Sequence, residues 1–123
     1  MPNPFVHIEL NTTDPNQAKQ FYGALFNWEL QDMNMGPSGT YTSIRVGDGT
    51  GGGILKHPMP GAPTLWIPYV VVDDLVAATN KAKSLGAKII KENQNVPDMG
   101  AFSIITDPTG GTLGLWEERG RKT

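Results

Sequence analysis

The chain contains no cysteine. That absence removes a disulfide framework, a thiolate nucleophile and any thiolate-held zinc or iron–sulfur site. Charge of one sign is also lacking. Ten Lys and Arg stand against twelve Asp and Glu, a formal net charge of −2. A nucleic-acid surface needs a basic stripe to displace the counterions around phosphates, so no nucleic-acid partner is expected. The only basic run, Arg119, Arg121 and Lys122, lies at the end of the chain and reads as a solvated tail. Long apolar runs are missing as well. None approaches the roughly 20 residues of a membrane helix, and the opening MPNPFVHIEL lacks the basic flank and apolar stretch of a leader, so a cytoplasmic location is expected. Asn11-Thr12-Thr13 matches a glycosylation acceptor, which in a cytoplasmic protein is coincidence.

What is present is a repeat. The 123 residues, 38% of them apolar, suffice for one small domain that buries roughly two-thirds of its unfolded surface. Phe5 to Leu10 alternates as a strand. Asp14, Pro15 and Gln17 then form a capping-box-like helix start, followed by Ala18, Phe21, Tyr22, Leu25 and Phe26 as a sheet-facing stripe. Strands at Trp28 to Met33, Tyr41 to Val46 and Gly53 to Lys56 complete the first half. The second half repeats the plan: strand Trp66 to Val72, cap Asp73-Asp74, helix Leu75 to Leu85 stopped at Gly86, then strands at Lys88 to Lys91, Ala101 to Thr106 and Thr112 to Glu117. Asp14 matches Asp74 at an offset of 60, and Asp48-Gly-Thr-Gly-Gly matches Asp107-Pro-Thr-Gly-Gly at 59. The expectation is an α+β fold of two βαβββ modules whose mixed sheet forms a cup. Module one spans residues 4–56, a proline-bearing linker 57–64, module two 65–118 and a tail 119–123. The Asp48 to Gly53 segment reads as a hairpin turn, since no helix follows it to make a phosphate loop.

Strand alternation sorts residues to two faces. Val6, Ile8, Leu10, Ile44 and Val46 face the first helix; Val70, Val72, Leu113 and Leu115 face the second. The opposite face collects His7, Glu9, Tyr41, Arg45, Tyr69, Phe102, Trp116 and Glu118, with Ile67, Leu55 and Ile104 among them. An aromatic wall carrying a few polar groups is the makeup of a small-molecule pocket. Arg45 either anchors an anionic ligand or pairs with Glu9. His7 either donates to a ligand and shuttles protons with Glu9 or Glu118, or is satisfied by a neighbouring carboxylate. Trp28 and Trp66 read as packing or subunit-contact residues, and Met33, Met35, Met59 and Met99 lie in or beside rim loops. Loops are expected from Met33 to Thr40 and from Asn93 to Gly100, beside the cup.

The paired modules, the opening His7-Ile-Glu-Leu followed by Asp14 and Phe21-Tyr22, and the closing Asp107-Pro-Thr-Gly-Gly-Thr-Leu-Gly-Leu-Trp resemble the vicinal oxygen chelate superfamily. This group includes glyoxalase I, bleomycin-resistance proteins and extradiol dioxygenases. The resemblance covers nearly the whole chain. It implies a cup that in the metalloenzymes chelates a divalent cation through His or Glu from the first and last strand of each module. Carried onto this chain, those positions fall on His7, Ile67, Leu55 and Gly114. Three of the four have no donor atom, and a catalytic cation needs about three protein donors. The expectation is therefore a protein that binds a small organic molecule with no metal and no cofactor. A metal-dependent lyase, transferase or dioxygenase is the alternative; metal-free catalysis with His7 and Glu118 as acid and base is a further one. Relatives commonly pair as dimers, so a homodimer is expected.

Overall fold

Both helices begin at the aspartates expected to cap them. In the computed structural model, which describes residues 2–36, 39–57 and 62–119, the Asp14 carboxylate accepts the Gln17 amide at 3.0 Å and Asp74 accepts that of Ala77 at 3.1 Å. Each cap occupies one of the amides that a helix start leaves without a carbonyl. The elements in order are β1 (Phe5–Thr12), α1 (Pro15–Leu25), β2 (Glu29–Asn34), β3 (Thr40–Arg45), β4 (Gly52–Lys56), β5 (Leu65–Val71), α2 (Leu75–Ser84), β6 (Lys88–Val96), β7 (Gly100–Thr106) and β8 (Thr112–Glu118). This is the expected βαβββ plan, twice. The proline-bearing stretch 58–61, with Met59, and the tail residues Arg121 and Lys122 lie outside the described residues.

The chain divides into two compact units, one of His7–Ile67 and one in which the residues up to Val6 join those from Pro68 onward. The division differs from a cut in the linker. Val71 accounts for it: its amide donates to the Pro4 carbonyl at 3.1 Å and its carbonyl accepts from Asn3 Nδ2 at 2.9 Å. In the His7–Ile67 unit the strand order is β2-β3-β4-β1, with β1 and β4 parallel and the other pairs antiparallel. Leu10, Ile44 and Ile54 form its core, packed by Ala18 and Tyr22 of α1 and by Trp28, Leu30, Val46 and Trp66. The stripe on α1 is narrower than its spacing suggests, because Phe21, Leu25 and Phe26 stay exposed. Val6 and Ile8 are likewise exposed, so burial on β1 starts at Leu10.

The other unit has the order β5-β8-β7-β6, with β5 and β8 parallel. Its core is Leu75, Ala101, Ile105 and Leu115, packed by Val72, Ala78, Ala82, Ala87, Ile89 and Leu113. Inside it, Thr79 Oγ1 reaches the Leu75 carbonyl at 2.7 Å and Ser103 Oγ at 2.8 Å, and Ser103 Oγ accepts the Asn93 amide at 3.0 Å. These bonds anchor an irregularity in β6, where the pairing with β7 shifts between Lys91 and Gln94 and Asn93 adopts φ +50°. Consequently β6 runs on to Val96. The segment from Asn93 to Gly100, expected as a loop, is mostly hairpin.

Candidate functional site

Alternation along β1 sends Leu10 into the core and turns His7, Glu9 and Asn11 to the opposite face, while β3 turns Tyr41 and Ser43 there. Tyr41 Oη lies 2.6 Å from His7 Nε2, and the two rings stack at an interplanar angle of 19°. Glu9 Oε2 stands 4.0 Å from the same nitrogen, and Glu9 Oε1 accepts from Asn11 Nδ2 at 3.2 Å. The His7 and Glu9 side chains are 33% and 14% exposed, so a solute can reach the cluster. Burial pushes the His7 imidazole below its ordinary value. Burial first, and the nearby Glu9 carboxylate second, hold the Tyr41 phenol well above its own. At neutral pH the pair is therefore an uncharged imidazole against a protonated phenol.

Gly53 on β4 makes room for this arrangement. A Cβ built there would stand 1.8 Å from Tyr41 Oη and 2.1 Å from Cζ, so the ring occupies the space a side chain would need. Gly52 is confined by backbone, since its Cβ would meet the Ile8 carbonyl oxygen at 1.8 Å. The glycine run is thus more than a hairpin turn: its last two residues are strand positions against which a backbone and a ring close in. Sequence reasoning names Asn11 only in a glycosylation match and Gly53 only at a turn and strand boundary, neither as a site residue. Three consecutive glycines entering a strand are the signal that points to Gly53.

The second unit repeats the device. Gly114 pairs with Tyr69 in register, and a Cβ at Gly114 would lie 2.2 Å from Tyr69 Cδ2. Tyr69 is buried and meets Phe102 edge to face with centroids 6.1 Å apart. Trp116 Nε1 donates to Glu118 Oε2 at 2.9 Å. His7 and Glu118 thus belong to different units, one bonded to Tyr41 and the other to Trp116. Arg45 does not sit on an enclosed face. Its side chain is 74% exposed at the end of β3, where Nη1 meets Glu29 Oε2 at 3.5 Å across the strand pair. An exposed pair of this length adds little stability.

A cavity of about 210 Å³ opens elsewhere in the His7–Ile67 unit, between Trp28, Trp66, Ile8 and Ile44. It is apolar, belongs to the helix side of the strands, and is smaller than the 300–1,000 Å³ usual for organic ligands.

Residues 5–115 match the family model described as the Glyoxalase/Bleomycin resistance protein/Dioxygenase superfamily. The chain belongs to that superfamily. A protein of Mycobacterium bovis provisionally named a glyoxylase, CFP32, is 35% identical over 114 residues, which cover 89% of this chain and 44% of the relative. The anthracycline biosynthesis protein DnrV of Streptomyces peucetius is 22% identical over 90% of this chain and 46% of its own. The chain therefore spans about half the length of these curated relatives. Among solved structures, the hypothetical protein BH1468 from Bacillus halodurans superposes with a TM-score of 0.72 at 14% identity, covering 100% of this chain and 99% of its own. Methylmalonyl-CoA epimerase from Mycobacterium tuberculosis superposes at 0.68 with 15% identity, covering 93% and 87%. At such identities the likeness concerns the fold.

Glyoxalase-superfamily metalloenzymes place donors on the first and last strand of each module, and the register now locates those positions in this member. Ile54 pairs with Leu10, and Leu115 with Val70, which is the counterpart of Leu10. Gly53 is therefore the counterpart of Gly114, and Leu55, assigned through the turn motif, is displaced by two residues. The first half reaches its closing strand by a shorter turn. The correction leaves the donor set no richer: His7, Ile67, Gly53 and Gly114 offer one donor, whose Nε2 already meets Tyr41. Among the described residues no three His, Asp or Glu side chains gather as an ion would require. These residues do not fit a chelated cation.

Proposed function

We propose that the chain, working as one glyoxalase-like domain, binds a small organic molecule on the open strand faces of its modules without a chelated metal. The observation that carries this reading is the pair of closing-strand glycines, each overlaid by a tyrosine ring where a chelating side chain would begin. In place of ligands for a cation, the face offers hydrogen-bonding groups in His7, Glu9, Tyr41 and Asn11. In the other unit the half-buried Phe102 and Trp116 carry aromatic surface, with Glu118 bonded to Trp116, while Tyr69 is buried and contributes packing. Stacking on rings and a few directed hydrogen bonds are what hold an organic ligand. Arg45, exposed at its strand end, serves an acidic substituent only at the margin of such a site.

The test is a titration of the purified protein with aromatic and carbonyl-bearing compounds, followed by tryptophan fluorescence and thermal shift. Saturable binding, weakened at least about tenfold by Tyr41→Phe or Trp116→Ala, supports the reading; the absence of any saturable ligand, together with stoichiometric bound metal, overturns it. A second reading draws on the name of the M. bovis relative: a metal-dependent lyase, transferase or dioxygenase of the glyoxalase type. It requires a donor set supplied from outside the described residues. Superfamily membership and the exposed Phe21, Leu25 and Phe26 on α1 support a homodimer, testable by sedimentation equilibrium of a Leu25→Glu variant.

A further inference from the structure

We propose that Tyr41 fixes the tautomer of His7 and takes up its Nε2 lone pair, so that the imidazole acts as a hydrogen-bonding group and is withheld from transition-metal cations. The inference rests on the reading of this face as a metal-free ligand site and names the residue that makes it so. A neutral imidazole carries one N–H and one lone pair, and the lone pair is what a metal binds. Which nitrogen keeps it is set by the partner at the other.

Two features identify the phenol as donor. The 2.6 Å separation lies in the range of O–H donors and is short for an N–H donor, whose distances centre near 2.9–3.0 Å. A phenol is also the more acidic partner, so its proton points to the imidazole nitrogen. Gly53 completes the device. A Cβ there would stand 1.8 Å from Tyr41 Oη, so only glycine lets the hydroxyl reach His7. His7, Tyr41 and Gly53 lie on three adjacent strands of one unit, β1, β3 and β4, and act together.

The chain has two histidines, His7 and His57, so the imidazole nitrogens of the ¹⁵N-labelled full chain can be assigned with a His57→Gln variant. At pH 7.5 the wild type is expected to show His7 unprotonated at Nε2 and protonated at Nδ1. In Tyr41→Phe the Nε2-protonated tautomer gains population, with Glu9 Oε2 4.0 Å away to accept from it, and Ni²⁺ broadens the His7 signals at a concentration about tenfold lower than in the wild type, the scale of one lost hydrogen bond. Gly53→Ala, which displaces the hydroxyl without removing it, gives the same changes. A wild-type His7 protonated at Nε2, or a Tyr41→Phe spectrum and Ni²⁺ response like the wild type's, overturns the proposal. The wild-type spectrum decides the tautomer even if neither variant folds. A locked tautomer in a protein that saturates with no organic ligand supports this inference while sinking the binding reading.

Discussion

Alanine at Gly114 puts one methyl group where a ring already stands. Its Cβ would lie 2.2, 2.4 and 2.7 Å from Tyr69 Cδ2, Cε2 and Cγ, whereas real Cβ contacts essentially never fall below 3.0 Å. The ring must shift by the better part of an ångström. Tyr69 is 4% exposed and braced edge-on by Phe102, so that shift disturbs a packed site. Overpacking of this kind costs about 1–3 kcal/mol, and the rigidity of the neighbourhood puts this case near 3. Loss of glycine's unfolded-state freedom offsets about 0.5–1, leaving roughly 2 kcal/mol of destabilisation. Tyr69→Ala alone leaves a void and costs about 3–5 kcal/mol. Combined, the new methyl enters the vacated space, and the double variant should be no less stable than Tyr69→Ala. The cycle then shows a coupling of about 2–3 kcal/mol, readable from urea unfolding of the four proteins at 25 °C with unchanged m-values. Costs that add to within about 0.5 kcal/mol would refute the claim that the Tyr69 ring fills the position opened by Gly114.

Ser103→Ala removes the oxygen that accepts the Asn93 amide and meets Thr79, so it should destabilise by about 1–3 kcal/mol and raise hydrogen exchange in β6 near Asn93; exchange unchanged there would contradict the anchoring role. The pH dependence of stability has two arms, both measurable as urea midpoints. Because the folded His7 binds its proton less readily than the unfolded residue, stability falls as pH drops from about 6.5 toward the lowered folded value, and His7→Gln flattens that arm. Because the folded Tyr41 ionises less readily than the unfolded residue, its contribution is whole below about pH 10 and is lost as pH rises beyond it, an effect absent in Tyr41→Phe.

The elements set by local chemistry were legible in the sequence. Asp14 with Pro15, Asp74 and Gly86 mark helix ends that any chain context would respect, and Gly86 indeed takes φ +100° beyond the Leu85 cap. Alternation placed Leu10, Ile44, Leu113 and Leu115 toward the helices and His7 and Tyr41 away from them. What escaped was decided by partners distant in the chain. The register of β4 depends on Ile8 and Tyr41 closing on Gly52 and Gly53, which made Leu55 stand in for Gly53. The extension of β6 to Val96 depends on Ser103 holding Asn93, ten residues away. Arg45 sits where β3 ends, and alternation assigns a face without saying how far along it cover extends. The same limit applies to Ile8, on the helix side of β1 yet open at the cavity rim.

The reading proposed for this superfamily member is that His7, Ile67, Gly53 and Gly114, the positions matched to the chelating residues of metalloenzyme relatives, hold no cation. Native mass spectrometry of the full chain, exchanged in turn against Zn²⁺, Ni²⁺, Co²⁺ and Mn²⁺ with elemental analysis of each sample, tests it most directly. The account predicts less than about 0.1 equivalent of any ion after buffer exchange. One equivalent retained by the wild type and lost on His7→Gln would contradict it.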